Sequence, residues 1–270
     1  MYQANTIDVI NFLQSIYSSG QAKYGTFNSH RSAISLILNR DLANEPVLKR
    51  FMKGISKLRP SQPRYDITWD PNPLLKYLAS LPRPYSFQDL SSKLVTLLAL
   101  ITGGRLQTTS LIRVSNVMEH NKEIQIAITD PIKTSGTNRP QPTLHIPFFK
   151  EKPALCCASA LKEYIDRTTD FRGQQDFMFL TYKKPHARAT KQSLSRWVKT
   201  SLANAGIDVL KFKPHSIRHC SSSAALRQGV SLELICQTVG WSGKSGTFAK
   251  FYNRPIAKNT DYAKAILSIK

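Results

Sequence analysis

Six side chains whose types carry chemistry stand along this chain in the order Arg105, Lys133, His215, Arg218, Trp241 and Tyr252. Arg105 follows an apolar segment and a double glycine, and Lys133 lies in a turn-rich stretch. His215 and Arg218 are three residues apart in the phrase PHSIRH, and Tyr252 comes eleven residues after the tryptophan of VGWS. Residues three apart share one face of a helix, so this histidine and this arginine can act on the same group.

The residue types suit the cleavage of a phosphodiester. Without a metal ion, that reaction needs a nucleophile, positive charge near the phosphoryl oxygens and a proton for the leaving oxygen. A tyrosine phenolate can attack phosphorus. Two guanidiniums match the two non-bridging oxygens, because arginine stays charged and donates in a fork.

The elements that must position these residues are mostly helices. Apolar periodicity and capping residues predict helices over 6–20, 26–38, 46–55, 70–81, 87–101, 156–168, 190–206, 216–228 and 231–240. Alternating apolar residues predict two strands, over 124–128 and 144–148, with a basic and mobile connection between them. The predicted fold class is mainly α with a small antiparallel β-sheet.

A change in composition divides the chain. Residues 59–65 contain two prolines and two arginines and have no hydrophobic period, which is typical of a linker. We therefore predict a domain boundary near 58–68, with a helical domain over 1–62 and a larger domain over 69–270.

The charge balance indicates a polyanionic partner. Lysine and arginine number 38 against 17 acidic residues, which gives a net charge of +21 and an isoelectric point near 10. Such an excess repels itself and is offset when DNA or RNA binds. Arg31, Lys191 and Arg196 are candidates for phosphate contacts from helices.

Other features bear on compartment and cofactors. The four cysteines, at 156, 157, 220 and 236, include no CxxC pair, so we expect a reducing compartment, no zinc site and no disulfide framework. The longest apolar stretch, 94–101, is too short for a membrane span, and the first residues show no signal-peptide pattern. We expect an intracellular protein.

The ordered set of six resembles the signature of the tyrosine recombinase (lambda-integrase-like) superfamily, which runs Arg, Lys, His-x-x-Arg, His or Trp, Tyr. The phrases FNSHRSAIS (27–35) and FAKFYNRP (248–255) resemble the recombinases of DIRS-like retrotransposons and cryptons. The resemblance covers nearly the whole chain. It implies that the helical 1–62 segment is a core-binding, DNA-clamping domain and that 69–270 is the catalytic domain.

The resemblance also implies roles for the residues. Arg105 and Arg218 would bind the phosphoryl oxygens, His215 would act as acid or base, and Lys133 would protonate the leaving 5′ oxygen. Trp241 would donate to a phosphoryl oxygen, while His219 would be structural. Tyr252 would form a 3′-phosphotyrosyl link, with Tyr262 as its rival.

The same resemblance predicts the partners and the setting. Double-stranded DNA would be bound by a homotetramer, with no metal, nucleotide or other cofactor, for a mobile element in the nucleus. A C-terminal segment with apolar residues at 263, 266, 267 and 269 would dock onto a neighbouring protomer.

Two departures from the family pattern keep alternatives open. Many relatives have an acidic residue three positions after the first arginine, where this chain has Thr108, and the gap from Trp241 to Tyr252 is about two residues longer than in common bacterial integrases. The alternatives are a recombinase-derived DNA-binding protein that no longer cuts, and a type IB topoisomerase-like enzyme. A basic RNA-binding protein is disfavoured because no aromatic stacking motif is present.

Overall fold

The computed structural model describes residues 3–20, 22–137, 140–241 and 252–256. The chain forms two compact units, Met1–Arg64 and Tyr65–Lys270. The described residues are mainly helical and include one three-stranded antiparallel sheet, which confirms the predicted fold class.

The first unit contains helices α1 (Thr6–Ser19), α2 (Tyr24–Leu38) and α3 (Pro46–Leu58). A capping box of Asn5 and Asp8 begins α1, and Gly20 follows its last residue. Helix α2 begins two residues before the predicted cap at Thr26. The three helices bury a core of their own, formed by Val9, Leu13, Phe27, Leu42, Leu48, Met52 and Ile55.

The helices of the second unit are α4 (Pro71–Ser80), α5 (Phe87–Thr102), α6 (Leu106–Thr109), α7 (Cys157–Arg172), α8 (Lys191–Asn204), α9 (Ser216–Arg227) and α10 (Leu232–Val239). The side chains of Asp70, Ser86, Thr190 and Ser231 accept hydrogen bonds from backbone N–H groups at the starts of α4, α5, α8 and α10. Such caps satisfy donors that have no partner within the helix. Helix α7 extends four residues beyond its predicted end at 168.

Helix α5 is the central element of this unit. It is buried along most of its length, and α7, α8 and α9 all pack against it. Its apolar side chains explain this position, since each fully buried leucine or valine contributes about 2 kcal/mol to folding. The C-terminal end of α5 leads directly into Gly103, Gly104 and Arg105.

The sheet has the order β1 (Val117–Glu119), β2 (Glu123–Ala127), β3 (Thr143–Pro147), with both pairs antiparallel. Ile124 pairs with Ile146, and both are buried on the same face as Ile126. The two longer strands confirm the prediction. Strand β1 was not predicted because three residues are too few to show an alternating pattern.

The segment predicted as a linker is anchored at each end in a different unit. Arg59 lies over the ring of Tyr17 in the first unit and donates to the carbonyl of Tyr17 at 2.9 Å. Tyr65 is buried in the second unit, where it packs against Phe212.

Candidate active site

The start of α9 carries His215 and Arg218, and it is fixed by the residues that open the second unit. The indole nitrogen of Trp69 donates to the hydroxyl of Ser216 at 2.9 Å in a buried contact. The backbone N–H of Lys213 donates to the phenol of Tyr65 at 3.2 Å. His215 lies at the N-cap of α9 and is exposed to solvent.

Arg218 is almost completely buried, with 1% of its surface exposed. Its Nη1 donates to the carbonyl of Gly103 at 2.6 Å, and its Nη2 lies 3.5 Å from the carbonyl of Val239. Its Nε has no hydrogen-bond partner among the described residues. The buried guanidinium therefore connects the end of α5, the first turn of α9 and the end of α10.

The double glycine before Arg105 allows this close approach. Gly103 has a φ of +54°, and a Cβ atom built on it would lie 2.9 Å from Cγ2 of Val239. Only glycine combines the left-handed backbone with the lack of a side chain at this point. The chain bends at the two glycines, and the groups that this bend brings together are Gly103, Val239 and Arg218.

Arg105 is the N-cap residue of the short α6 and is partly exposed. Its guanidinium makes no hydrogen bond or salt bridge to any residue in the described part of the chain. Burial, and next the positive charge of Arg105, lower the pKa of Arg218 to about 10. Arg218 therefore carries its charge at neutral pH, close enough to Arg105 for the two like charges to repel, and a bound anion would offset that repulsion.

Tyr252 lies among four of these side chains. Its ring stacks on His219 at a centroid distance of 4.3 Å and an interplanar angle of 21°. The ring of Trp241 is 4.4 Å away and that of His215 is 6.4 Å away. The guanidinium carbon of Arg218 is 5.9 Å from the Tyr252 ring centroid. The structure thus places His215, Arg218, Trp241 and Tyr252 together.

Residues 252–256 are held by hydrogen bonds that Ser223 and Thr68 make with their backbone. The hydroxyl of Ser223 donates to the carbonyl of Tyr252 at 2.7 Å and accepts from the N–H of Arg254 at 3.1 Å. The N–H of Thr68 donates to the carbonyl of Pro255 at 2.8 Å. Tyr262 and the apolar residues at 263, 266, 267 and 269 lie outside the described residues.

Lys133 is exposed on the connection between β2 and β3. It makes no hydrogen bond or ion pair within the described part of the chain, and no contact brings it to the other five residues. Thr108 is buried in α6.

The three candidates for DNA contact lie on helices. Arg31 is partly exposed on α2 and donates to the amide oxygen of Asn28 at 2.8 Å. Lys191 and Arg196 are both exposed on α8.

Sequence reasoning missed the contacts that His219 and Ser223 make with Tyr252. His219 was expected to be structural; it is buried, and the structure adds its stack on the tyrosine and an edge contact with Tyr65 at 5.0 Å. The position of His219 one residue after Arg218, on the same helix as Ser223, was the available signal.

Two features of the described residues concern metal ions and membranes. They contain no group of three or more His, Cys, Asp or Glu side chains placed to hold a metal ion. None of the helices in the described ranges has both the length and the apolar content needed to cross a bilayer. All four cysteines are buried and free of disulfide bonds.

The model of the phage integrase family matches residues 72–258, which is more than half of the chain. The chain therefore belongs to the phage integrase family, that of the tyrosine recombinases. The match includes all six residues singled out above. No curated protein matches the sequence significantly.

Solved structures of tyrosine recombinases share the fold. The XerH site-specific recombinase bound to difH substrate in a pre-cleavage complex superposes with a TM-score of 0.62 at 18% identity, over 99% of this chain and 71% of that one. The Tn1549 transposon integrase in complex with circular intermediate DNA gives 0.59 at 16% identity, over 99% and 86%. A lambda integrase (75–356) dimer bound to a COC′ core site gives 0.53 at 14% identity, over 95% and 82%.

Proposed function

We propose that this protein is a site-specific recombinase that cuts and rejoins DNA strands through a covalent bond between Tyr252 and a 3′ phosphate. The observation that carries the proposal is the placement of Tyr252 against His219, His215, Trp241 and Arg218. Four of the six expected residues lie within one small region although the sequence separates them by up to 37 positions.

The two arginines would bind the scissile phosphate. Arg218 is fixed by backbone carbonyls, and Arg105 has no protein partner in the described part of the chain. Both would donate to the non-bridging oxygens and stabilise the charge that develops as the tyrosine attacks. The indole N–H of Trp241 would be a further donor.

The proton transfers fall to His215 and Lys133. His215 is exposed beside Tyr252 and would accept the phenol proton as the oxygen attacks phosphorus. The bond to the 5′ oxygen then breaks, and this oxygen would take a proton from the ammonium of Lys133. The free 5′ hydroxyl of one strand would later attack the phosphotyrosine of its partner and reverse these steps.

The biological setting is the finer part of the proposal. The phrases FNSHRSAIS and FAKFYNRP support a recombinase of a DIRS-like or crypton-like mobile element, acting in the nucleus. A homotetramer on double-stranded DNA would bring four tyrosines to two sites. Among the similar structures is a lambda integrase tetramer bound to a Holliday junction.

A DNA-binding protein that no longer cuts is the second candidate, because Thr108 supplies no carboxylate to support Arg105. A strand-exchange assay separates these functions. Duplexes that bind the protein would first be selected from a random-sequence pool. Two differently labelled duplexes that carry the selected site would then be incubated together with wild type or with Tyr252→Phe.

The recombinase proposal predicts hybrid duplexes with the wild type alone. Relaxation of supercoiled DNA without hybrids would indicate a topoisomerase. Binding without either product, equal in wild type and Tyr252→Phe, would indicate the DNA-binding protein and contradict the proposal.

A further inference from the structure

The turn that carries Lys133 is closed by two hydrogen bonds between its first and last residues. The N–H of Ser135 donates to the carbonyl of Ile132 at 2.9 Å, and the N–H of Ile132 donates to the hydroxyl of Ser135 at 2.7 Å. Lys133 and Thr134 are therefore the central residues of a β-turn, here called the Lys133 turn (residues 132–135). Ile132 packs against the main core, so the turn is docked at its first residue.

Both arms of this turn are attached to fixed points. On the first arm, Asp130 accepts two hydrogen bonds from Arg113, from Nε at 2.8 Å and from Nη2 at 3.1 Å. On the second arm, the side chain of Gln141 accepts from the hydroxyl of Ser135 at 3.0 Å and donates to the carbonyl of Asp130 at 3.3 Å. The Arg113–Asp130 pair is thus one of the attachments that hold the Lys133 turn.

Arg113 is also held by contacts other than those with Asp130. The residues beside it pair with the 176–178 segment, through Val114 N–H to the carbonyl of Asp176 and Met178 N–H to the carbonyl of Ile112, both at 2.8 Å. Its guanidinium lies over the ring of Phe177, with the carbon 4.4 Å from the centroid. The arginine therefore connects the turn to the 176–178 segment.

The pair is unusual in a chain with so few carboxylates. Only 17 acidic residues accompany 38 basic ones, yet Arg113 contacts two of them, Asp130 and, at 3.6 Å, Asp176. A hydrogen bond from Arg113 is the main reason that the pKa of Asp130 lies below its usual value. A bidentate guanidinium–carboxylate pair fixes direction as well as distance, which a single lysine contact would not do.

We propose that Arg113 and Asp130 are positioning residues that hold the Lys133 turn in place for proton transfer to the leaving 5′ oxygen. This inference rests on the proposed function, in which Lys133 is the general acid. The geometric requirement is strict, because a general acid must come within hydrogen-bond distance of the atom that it protonates.

DNA with a sulfur atom in place of the leaving 5′ oxygen distinguishes a role in proton delivery from a purely structural role. As the tyrosine oxygen bonds to phosphorus, the electron pair of the breaking bond goes to the 5′ atom. Oxygen needs a proton at this point, whereas a thiolate leaves without one because its conjugate acid is far stronger. A variant impaired only in proton delivery should therefore recover on the sulfur-containing DNA.

The experiment measures single-turnover cleavage of both substrates by wild type, Lys133→Ala, Asp130→Asn and Arg113→Gln. The matched control is Glu119→Gln, which removes a salt bridge of 2.6 Å to Lys162 from the same sheet without touching the Lys133 turn. On ordinary DNA we expect Lys133→Ala to cleave more slowly than wild type by about a hundredfold or more. Asp130→Asn and Arg113→Gln should each cleave more slowly by about tenfold or more. All three should come within about threefold of wild type on sulfur-containing DNA, and the control should match wild type on both.

Two outcomes overturn the inference, and they differ. Suppose that Lys133→Ala recovers on sulfur-containing DNA but Asp130→Asn and Arg113→Gln do not, being either slow on both substrates or as fast as wild type on both. The positioning role is then wrong, while Lys133 remains the general acid. If Lys133→Ala does not recover, the general-acid assignment fails, and the positioning role fails with it.

Discussion

At the scale of single residues, the two arginines proposed to bind phosphate are held in opposite ways. Arg218 is buried and bonded to the carbonyl of Gly103, so it is part of the fold as well as of the site. Arg105 is partly exposed and, among the described residues, bonds to no side chain. The difference separates their effects on stability from their effects on activity.

We predict that Arg105→Ala lowers the rate of cleavage by about a hundredfold or more, since one charge-stabilising donor is lost. The melting temperature should stay near that of the wild type. Arg218→Ala should lower the rate at least as much and also reduce the free energy of unfolding by about 2 kcal/mol or more, because it leaves a cavity and unpaired carbonyls. Chemical denaturation and single-turnover cleavage measure the two effects; equal stability losses in both variants would contradict the account.

The sequence was enough to propose candidate residues but not all of their contacts. The order of the six residues and the HxxR spacing were enough to propose Arg218 and Tyr252. The stack of His219 on Tyr252 and the bond from Trp69 to Ser216 join residues 33 and 147 positions apart. Local periodicity carries no information about such pairings, because they depend on how the helices pack.

At the scale of elements, the ends of α5 and α10 both have a glycine in the left-handed conformation. Gly103 has φ +54° and ψ 16°, and Gly240 has φ +72° and ψ 42°. Of these two glycines, only Gly103 would place a Cβ atom against a side chain of the described residues, at 2.9 Å from Cγ2 of Val239. Comparing the same substitution at these two glycines therefore separates the cost of backbone strain from the cost of steric overlap.

We predict that Gly240→Ala costs about 1 kcal/mol of stability, the usual cost of a non-glycine residue in this conformation. Gly103→Ala should cost clearly more, about 2–4 kcal/mol, because it adds overlap with α10 to the same strain. Urea denaturation measures both. Equal losses of stability in the two variants would show that steric overlap between residue 103 and α10 adds no cost to the backbone strain.

Helix α3 has a basic, solvent-facing surface formed by Lys49, Arg50, Lys53 and Lys57. The described acidic residues of the same unit are engaged elsewhere: Asp8 in the cap of α1, Glu45 with Arg40, and Asp41 with Asn44. Nothing of opposite charge offsets this surface within its own helix, which suits it to phosphates.

If α3 binds the DNA backbone, replacing Lys49, Lys53 and Lys57 by glutamine should make binding less dependent on salt. The slope of log affinity against log salt should fall by roughly 2–3, because each phosphate contact contributes about 0.9. Lys162→Gln is the control, since Glu119 already offsets that charge. An unchanged slope in the triple variant would exclude α3 from the interface.

Element prediction succeeded where periodicity extended over many residues and failed where it did not. The long α5 and the strands β2 and β3 were predicted nearly to their ends. The three-residue β1 was not predicted. Tyr65 looked like part of a linker, because its burial comes from Phe212 and His219, which lie far along the chain.

At the scale of the whole molecule, a net charge of +21 and membership of the phage integrase family both point to DNA as the partner. Neither one identifies the nucleophile. We propose Tyr252 for that role because it contacts His219, Trp241 and Arg218.

The most direct test is to find the residue that becomes bonded to DNA. Wild type and Tyr252→Phe would be incubated in EDTA with nicked duplexes bearing a selected binding site, and the digested adduct would be mapped by mass spectrometry. We predict a denaturation-resistant adduct with the wild type alone, with the phosphate on the peptide that contains Tyr252. An adduct that persists in Tyr252→Phe, or that maps to Tyr262, would contradict it.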